Sequence, residues 1–236
     1  MHWAVAFQRA ENRYVGVNCG IMDQFASVCG EENRLLQLDC RSLEWSGFDW
    51  PENMPIVVAD TNIRRKLNTS EYNQRCQDCE EAIRLLEADL PAIRTLRDAG
   101  FEDFEKLCWK LPPRVEKRAR HVIEEIVRTQ KARSFLASQD IDGFGRLMND
   151  CHESLRDLYE VSSFELDSMV EIAQSLDGCF GSRLTGAGFG GCTVSIVENW
   201  NVERFVVELK RCYSVKTGQV VDVHISRPST GAGLIG

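Results

Sequence analysis

The chain has 236 residues, 43% of them hydrophobic and 27% charged, a balance that lets a chain of this length bury a core without disulfides or metals. Its net charge of −8, with no basic run to meet a phosphate backbone, excludes a dedicated nucleic-acid binder but not a nucleotide, whose phosphates need only a small local site. No apolar run approaches the ~18 residues that span a bilayer, and Met1 to Arg9 lacks the basic start and apolar stretch of a signal peptide, so a soluble, cytoplasmic protein without membrane partners is expected.

The amino-terminal part reads as a short helix followed by strands. Leu35–Leu38 and Ile56–Ala59 are short β-prone runs, the second bounded by Pro55 and Asp60, and Trp45 to Pro51 reads as an aromatic turn. From Ser70 to about Leu176 the spacing is helical. Tyr72, Cys76, Cys79 and Ile83 fall on one face, which places both cysteines of Cys76-Gln77-Asp78-Cys79 on the inside of a helix. Pro112-Pro113 breaks the chain before a long helix with Val115, Ala119, Val122, Ile126 and Val127 on its apolar stripe. The segment Asp140 to Gly143 separates it from the next helix, and Ser162 with Glu165 forms a capping box ahead of Leu166.

The last part reads as strand, helix, strand. Cys192, Val194 and Ile196 alternate with polar residues, Val202, Phe205, Val206 and Leu209 make an amphipathic stripe, and Val221, Val223 and Ile225 alternate again. Elements in this order imply an α+β fold. The ten cysteines are scattered among apolar residues, as reduced thiols packed like small hydrophobes would be. The CxxC pair has neither a second such pair nor nearby histidines, so no metal site is assigned.

Two stretches could carry chemistry. In Gly20-Ile21-Met22-Asp23-Gln24, Gly20 suits a tight backbone turn, and Asp23 falls in or near the first turn of a helix. The helix dipole favours an ionised carboxylate there, whether or not it has a function. In Gly186-Ala187-Gly188-Phe189-Gly190-Gly191 the glycines imply positive φ or a close backbone approach. Such a loop either nests an anion on its N–H groups or simply joins two strands tightly. It precedes a strand rather than a helix, so it matches neither the Walker A pattern nor the dinucleotide fingerprint.

With LDCRSLEW at 38–45, NIRRKLNTSEYNQR at 62–75, GSRLTGAGFGGCTV at 181–194 and Arg227-Pro228-Ser229 in the same order, the chain resembles the galactokinase branch of the GHMP kinases. The glycine-rich stretch resembles the third GHMP motif, while GIMDQ at 20–24 is specific to galactokinases. The resemblance implies a GHMP kinase-like α+β fold. Residues 1–62 would be a remnant of the amino-terminal α/β domain, and 63–236 a carboxy-terminal helical and ferredoxin-like domain. It implies a kinase that phosphorylates galactose at the C1 hydroxyl with ATP and Mg²⁺, Asp23 acting as general base or orienting charge. Gly20, Asp23 and Tyr72 would meet the sugar, and Gly186, Ala187, Gly188, Gly190 and Gly191 would border the phosphate site. The alternatives are a kinase for N-acetylgalactosamine or arabinose, or a non-catalytic sugar sensor.

The resemblance also implies two motifs that these 236 residues lack. One supplies sugar contacts and an arginine near the transferred phosphate, the other a glycine- and serine-rich phosphate loop opening a helix. The chain by itself is therefore expected to be inactive, to expose apolar surface, and to need a complementing amino-terminal fragment. A truncated product, a mis-called start or a split chain would each produce this.

Overall fold

A computed structural model of the chain describes residues 1–16, 19–64 and 69–233. These residues form two compact units, one of Met1–Met54 with the segment from Ser226 onward, the other of Pro55–Ile225. The first unit opens with α1 (His2–Ala10), a π-helical turn over Glu11–Val15, and α2 (Met22–Cys29). Ala4 of α1 packs with Ile21 and Phe25 in a small apolar cluster. A hairpin follows, β1 (Arg34–Leu38) against β2 (Trp45–Asp49), antiparallel with Arg34 opposite Asp49 and Leu38 opposite Trp45.

The stretch expected to be an aromatic turn is thus β2. The turn lies before it, where the Asp39 carboxylate accepts the N–H groups of Arg41 at 2.8 Å and Ser42 at 3.1 Å, an Asx turn that closes the hairpin. The Trp45 ring then meets Phe25 edge-on, centroids 6.0 Å apart. The carboxy-terminal segment fastens α2 and β1. Ala232 N–H donates to Ser27 O at 2.6 Å, Gly231 N–H to Gly30 O at 2.9 Å, and Asn33 N–H to Pro228 O at 3.0 Å. A Cβ on Gly30 would stand 2.9 Å from Gly231 N, so the approach depends on glycine there.

The second unit holds β3 (Ile56–Asp60), α3 (Thr69–Leu86), α4 (Phe101–Leu107), α5 (Pro113–Ala137), α6 (Ile141–Asp157) and α7 (Phe164–Ser175). The hairpin β4 (Cys179–Leu184) and β5 (Cys192–Val197), α8 (Val202–Thr217) and β6 (Asp222–Ser226) complete it. The sheet order is β4-β5-β3-β6, that of a ferredoxin-like β-α-β-β-α-β unit with its first and third strands central. β3 pairs antiparallel with β5, Val57 opposite Ser195. That pairing places β3 in the second unit, so the compact units divide ahead of this strand rather than after residue 62 as the sequence reading has it.

The sheet buries Val57, Ala59 and Val197 against Met169 and Ala173 of α7 and Phe205, Leu209 and Tyr213 of α8. A second core joins Ala82 and Leu86 of α3, Phe104 of α4, and Val115, Ala119 and Ile123 of α5. Several local expectations change. Cys76 is exposed, because α3 turns Asp78 inward instead, while Cys79 packs partly buried against the second core as expected. Asp78 is fully buried, holding Arg114 at 3.0 Å and accepting from Gln74 at 3.0 Å. Gly143 lies inside α6, whose cap is Asp140 accepting from Gly143 N–H at 2.8 Å. The cap of α7 is Ser163, accepting from Leu166 N–H at 3.3 Å, which leaves Ser162 free for another partner.

His121 of α5 is buried, hydrogen-bonds Ser154 of α6 through Nδ1 at 2.8 Å, and stacks on Tyr159 at 4.4 Å. Burial, aided by the charges of Arg128 and Arg118, pushes its pKa down from 6.5 to about 4. Below the unfolded value the unfolded chain takes up a proton that the folded chain refuses. Stability is therefore expected to fall as the pH drops from 6.5 toward 4, by at most about 3 kcal/mol from this group. Denaturant titrations across that range should show a slope that His121→Gln flattens.

Candidate active site

In the first unit the turn entering α2 is pinned at Cys19. Its N–H donates to Asn12 Oδ1 at 3.2 Å, and its carbonyl accepts from Gln8 Nε2 at 3.1 Å. From there α2 buries Ile21, Gln24 and Phe25, and the helical period turns Met22 and Asp23 outward. Asp23 stands exposed in the first turn of α2, where the dipole favours its charge. No described residue offers it a hydrogen bond or ion pair.

Gly20 is not explained by the turn. Its φ lies outside the left-handed region, and nothing stands within 4 Å of where a Cβ would be. Neither backbone strain nor packing against the described residues requires glycine there. Beside it, Gln24 Oε1 is buried without a donor among the described residues, an arrangement that typically costs about 1–3 kcal/mol if nothing supplies one. The Cys19 thiol, hydrogen-bonded at 3.2 Å to Glu11, is raised above its usual pKa by that carboxylate, which argues against a nucleophilic role.

In the second unit the loop Gly186–Gly191 joins β4 to β5. Gly186, Gly188, Gly190 and Gly191 have φ of 79°, 79°, 121° and 84°, and Phe189 sits at 59°. Both reasons for glycine therefore hold here. A Cβ on Gly188 would meet Val161 O at 2.0 Å, and one on Gly190 would meet Ile63 O at 2.7 Å. Phe189 N–H donates to Val161 O at 2.6 Å, Gly191 N–H donates to Ile63 O at 3.3 Å, and Gly191 O accepts from the Thr61 hydroxyl at 2.7 Å. The N–H groups of Gly186 and Ala187 have no partner among the described residues, and both residues are exposed. Such N–H groups can receive an anion.

The corner at residues 158–161 that grips the loop is held by two arginines the sequence reading did not single out. Arg75 of α3 donates to Tyr159 O at 2.7 Å and Glu160 O at 2.6 Å, and its guanidinium lies 5.7 Å from the centre of the Phe189 ring. Arg118 of α5, which unlike Arg75 is buried, donates to Leu158 O and at 2.5 Å to the Glu160 carboxylate. Arg118 thereby holds the Glu160 carboxyl below the usual range. Arg118 is the buried member of this pair, while the Glu160 side chain reaches solvent. Arg75 was legible only as part of the stretch 62–75, since nothing in its spacing says which backbone it would meet.

Tyr72 falls on α3, but its side chain lies outside the described residues. Among the described residues no group of three or more His, Cys, Asp or Glu is placed to hold a metal ion. Burial pushes the Cys79 thiol up to about 11, its neighbour Cys76 adding to the effect. That is the opposite of what a redox CxxC needs. No helix is long and apolar enough to cross a membrane among the described residues.

Comparison with known proteins decides the lineage. The family described as GHMP kinases C terminal matches residues 132–214. Over 232 residues the chain is 46% identical to a galactokinase of Roseiflexus sp. (strain RS-1), covering 98% of this chain and 59% of that protein. It is 44% identical over 230 residues to a galactokinase of Fusobacterium nucleatum subsp. nucleatum, covering 97% of this chain and 59% of that protein. Over nearly its whole length the chain is thus similar to galactokinases, and its carboxy-terminal part to the GHMP kinases. A Lactococcus lactis galactokinase, solved in complex with galactose, superposes with a TM-score of 0.90 at 35% identity, over 95% of this chain and 58% of that one. A homoserine kinase of Cytophaga hutchinsonii shares the fold at a TM-score of 0.55 and 10% identity, covering 95% of this chain and 56% of that one. The chain spans about three-fifths of the length of the curated relatives it matches.

Proposed function

We propose that the chain forms part of a kinase that transfers the γ-phosphoryl group of ATP to the C1 hydroxyl of galactose. The observation that carries this reading is Asp23, an exposed carboxylate at the start of α2 with no partner among the described residues, in a chain whose relatives are galactokinases. A side chain so placed is free to receive the sugar hydroxyl. As the C1 oxygen attacks phosphorus, Asp23 accepts its proton, or, as a weak base, holds the hydroxyl in line and balances its charge. The open space at Gly20 suits a sugar lying close to the backbone, and Tyr72 is proposed to meet a sugar hydroxyl.

The loop Gly186–Gly191 is proposed to border the phosphates, its exposed N–H groups at Gly186 and Ala187 facing negative charge. The relative solved with galactose supports that sugar over N-acetylgalactosamine or arabinose. Magnesium, when bound with the nucleotide, would screen phosphate charge. The unit that begins with Met1–Met54 is proposed to act as part of the amino-terminal, sugar-side domain of such a kinase. A cytoplasmic setting accords with the ten free cysteines.

The test is a coupled assay of galactose phosphorylation. We expect no ATP-dependent product from the 236-residue chain alone. We expect turnover when the chain is fused behind the amino-terminal portion of the Roseiflexus galactokinase. Sugar binding by the fusion without turnover would instead favour a sensor.

A further inference from the structure

β4 is an edge strand of the sheet. Its pairing with β5, continued by Thr185 N–H donating to Cys192 O at 2.9 Å, turns the N–H groups of Ser182 and Leu184 outward. An open edge leaves such groups unpaired and the strand free to shift. Here α6 covers them. Asn149 Oδ1 accepts from Ser182 N–H at 2.9 Å, and His152 Nδ1 accepts from Leu184 N–H at 3.3 Å.

These short side chains reach the strand because helix and strand touch through glycine. A Cβ on Gly145 would stand 2.2 Å from Phe180 O, and one on Gly181 would stand 2.2 Å from Gly145 O. Gly145, Asn149 and His152 follow each other at i, i+4 and i+7, one stripe of α6 laid along β4.

His152 is buried and does more than cap an edge. With Nδ1 accepting a hydrogen bond, the neutral ring carries its proton on Nε2. Nε2 lies 3.2 Å from Asp167 Oδ1, close though not aligned as a full hydrogen bond. The same carboxylate oxygen accepts from the Ser162 hydroxyl at 2.5 Å. Ser162 follows Val161, whose carbonyl accepts the N–H of Phe189. One polar chain thus runs from Leu184, at the root of the glycine-rich loop, through His152, Asp167 and Ser162 to Val161, which grips the loop's middle.

We propose that His152 and Asp167, with Asn149, are positioning residues that set the shape of the Gly186–Gly191 loop. The functional consequence rests on the reading that this loop borders the phosphates of ATP. The clamp touches no substrate. It fixes both the strand that enters the loop and the corner against which the loop folds, so loosening it should misplace the loop N–H groups by fractions of an ångström. Errors of about 1 Å in such a group can cost ~10²-fold in rate.

Two measurements test the clamp. In the 236-residue chain, His152→Leu should speed hydrogen exchange of the amides from Leu184 to Gly191 by about tenfold or more, while those of α8 stay within about twofold. His152→Asn, whose amide oxygen can replace Nδ1 as acceptor, should restore much of the protection. If the leucine variant does not fold, Asp167→Asn at its partly exposed position gives the same readout. In the active fusion, His152→Leu should raise KM for ATP and lower kcat by about tenfold or more, with KM for galactose nearly constant and partial rescue by asparagine.

Exchange that rises uniformly through the unit, or a loop as protected as in the parent, would overturn the proposal. A fusion that phosphorylates no sugar would defeat the functional reading, yet the exchange measurements would still decide the clamp.

Discussion

Asp23→Asn in the active fusion is expected to lower kcat by about 10²–10⁴, the range in which a positioned acid or base contributes. KM for galactose should move only a few-fold, since asparagine keeps the size and one acceptor oxygen. The fold should hardly register the change. Asp23 is exposed and has no partner among the described residues, so its stabilising influence is confined to the helix dipole, at most about 1 kcal/mol. A large kinetic loss with an unchanged denaturation midpoint would mark Asp23 as a catalytic residue. Unchanged turnover would reduce it to a helix-start carboxylate.

Gly188→Ala should be strongly destabilising, and Gly218→Ala calibrates it. Both glycines have φ in the left-handed region, 79° and 71°. An alanine pays roughly 1–2 kcal/mol for that conformation at either position. At Gly218, which ends α8, nothing lies within 4 Å of the new Cβ, whereas at Gly188 the Val161 carbonyl oxygen would be 2.0 Å away. Val161 must therefore withdraw, breaking its hydrogen bond to Phe189 N–H, at a further cost of about 1–3 kcal/mol. Urea titration of the two variants should separate them by that difference. Equal losses would show that the contact with Val161 carries no weight.

The local periods were legible in the sequence. The alternation at 192–197 and 221–225 and the i, i+3, i+4, i+7 stripe at 202–209 correspond to β5, β6 and α8, because one-sided burial imposes its period on the residues. The helix start at Asp23 and the glycine loop were legible for a similar reason, as both answer to local backbone rules, whereas the glycine at 20 does not. Trp45 to Asp49 was misread because only pairing with β1 turns that run into a strand. The register with its partner, rather than its own composition, decides the outcome. Cys76 of α3 was misread, unlike Cys79, which packs on the second core, because apolar spacing cannot foresee a buried Asp78 that two arginines, Arg114 and Arg118, make tolerable.

By itself the sequence determined the lineage, the helix that presents Asp23, and the loop in which glycine is obligatory. These depend on residue identity and nearest neighbours along the chain. Only the tertiary structure decided what holds that loop. Arg75, Asn149, His152 and Val161 are remote from Gly188 in sequence, and their roles exist only once α3, α6 and the 158–161 corner converge on β4 and its loop. A hydrogen bond to a distant backbone leaves no periodicity in either partner, since any residue can supply the N–H or carbonyl that is met.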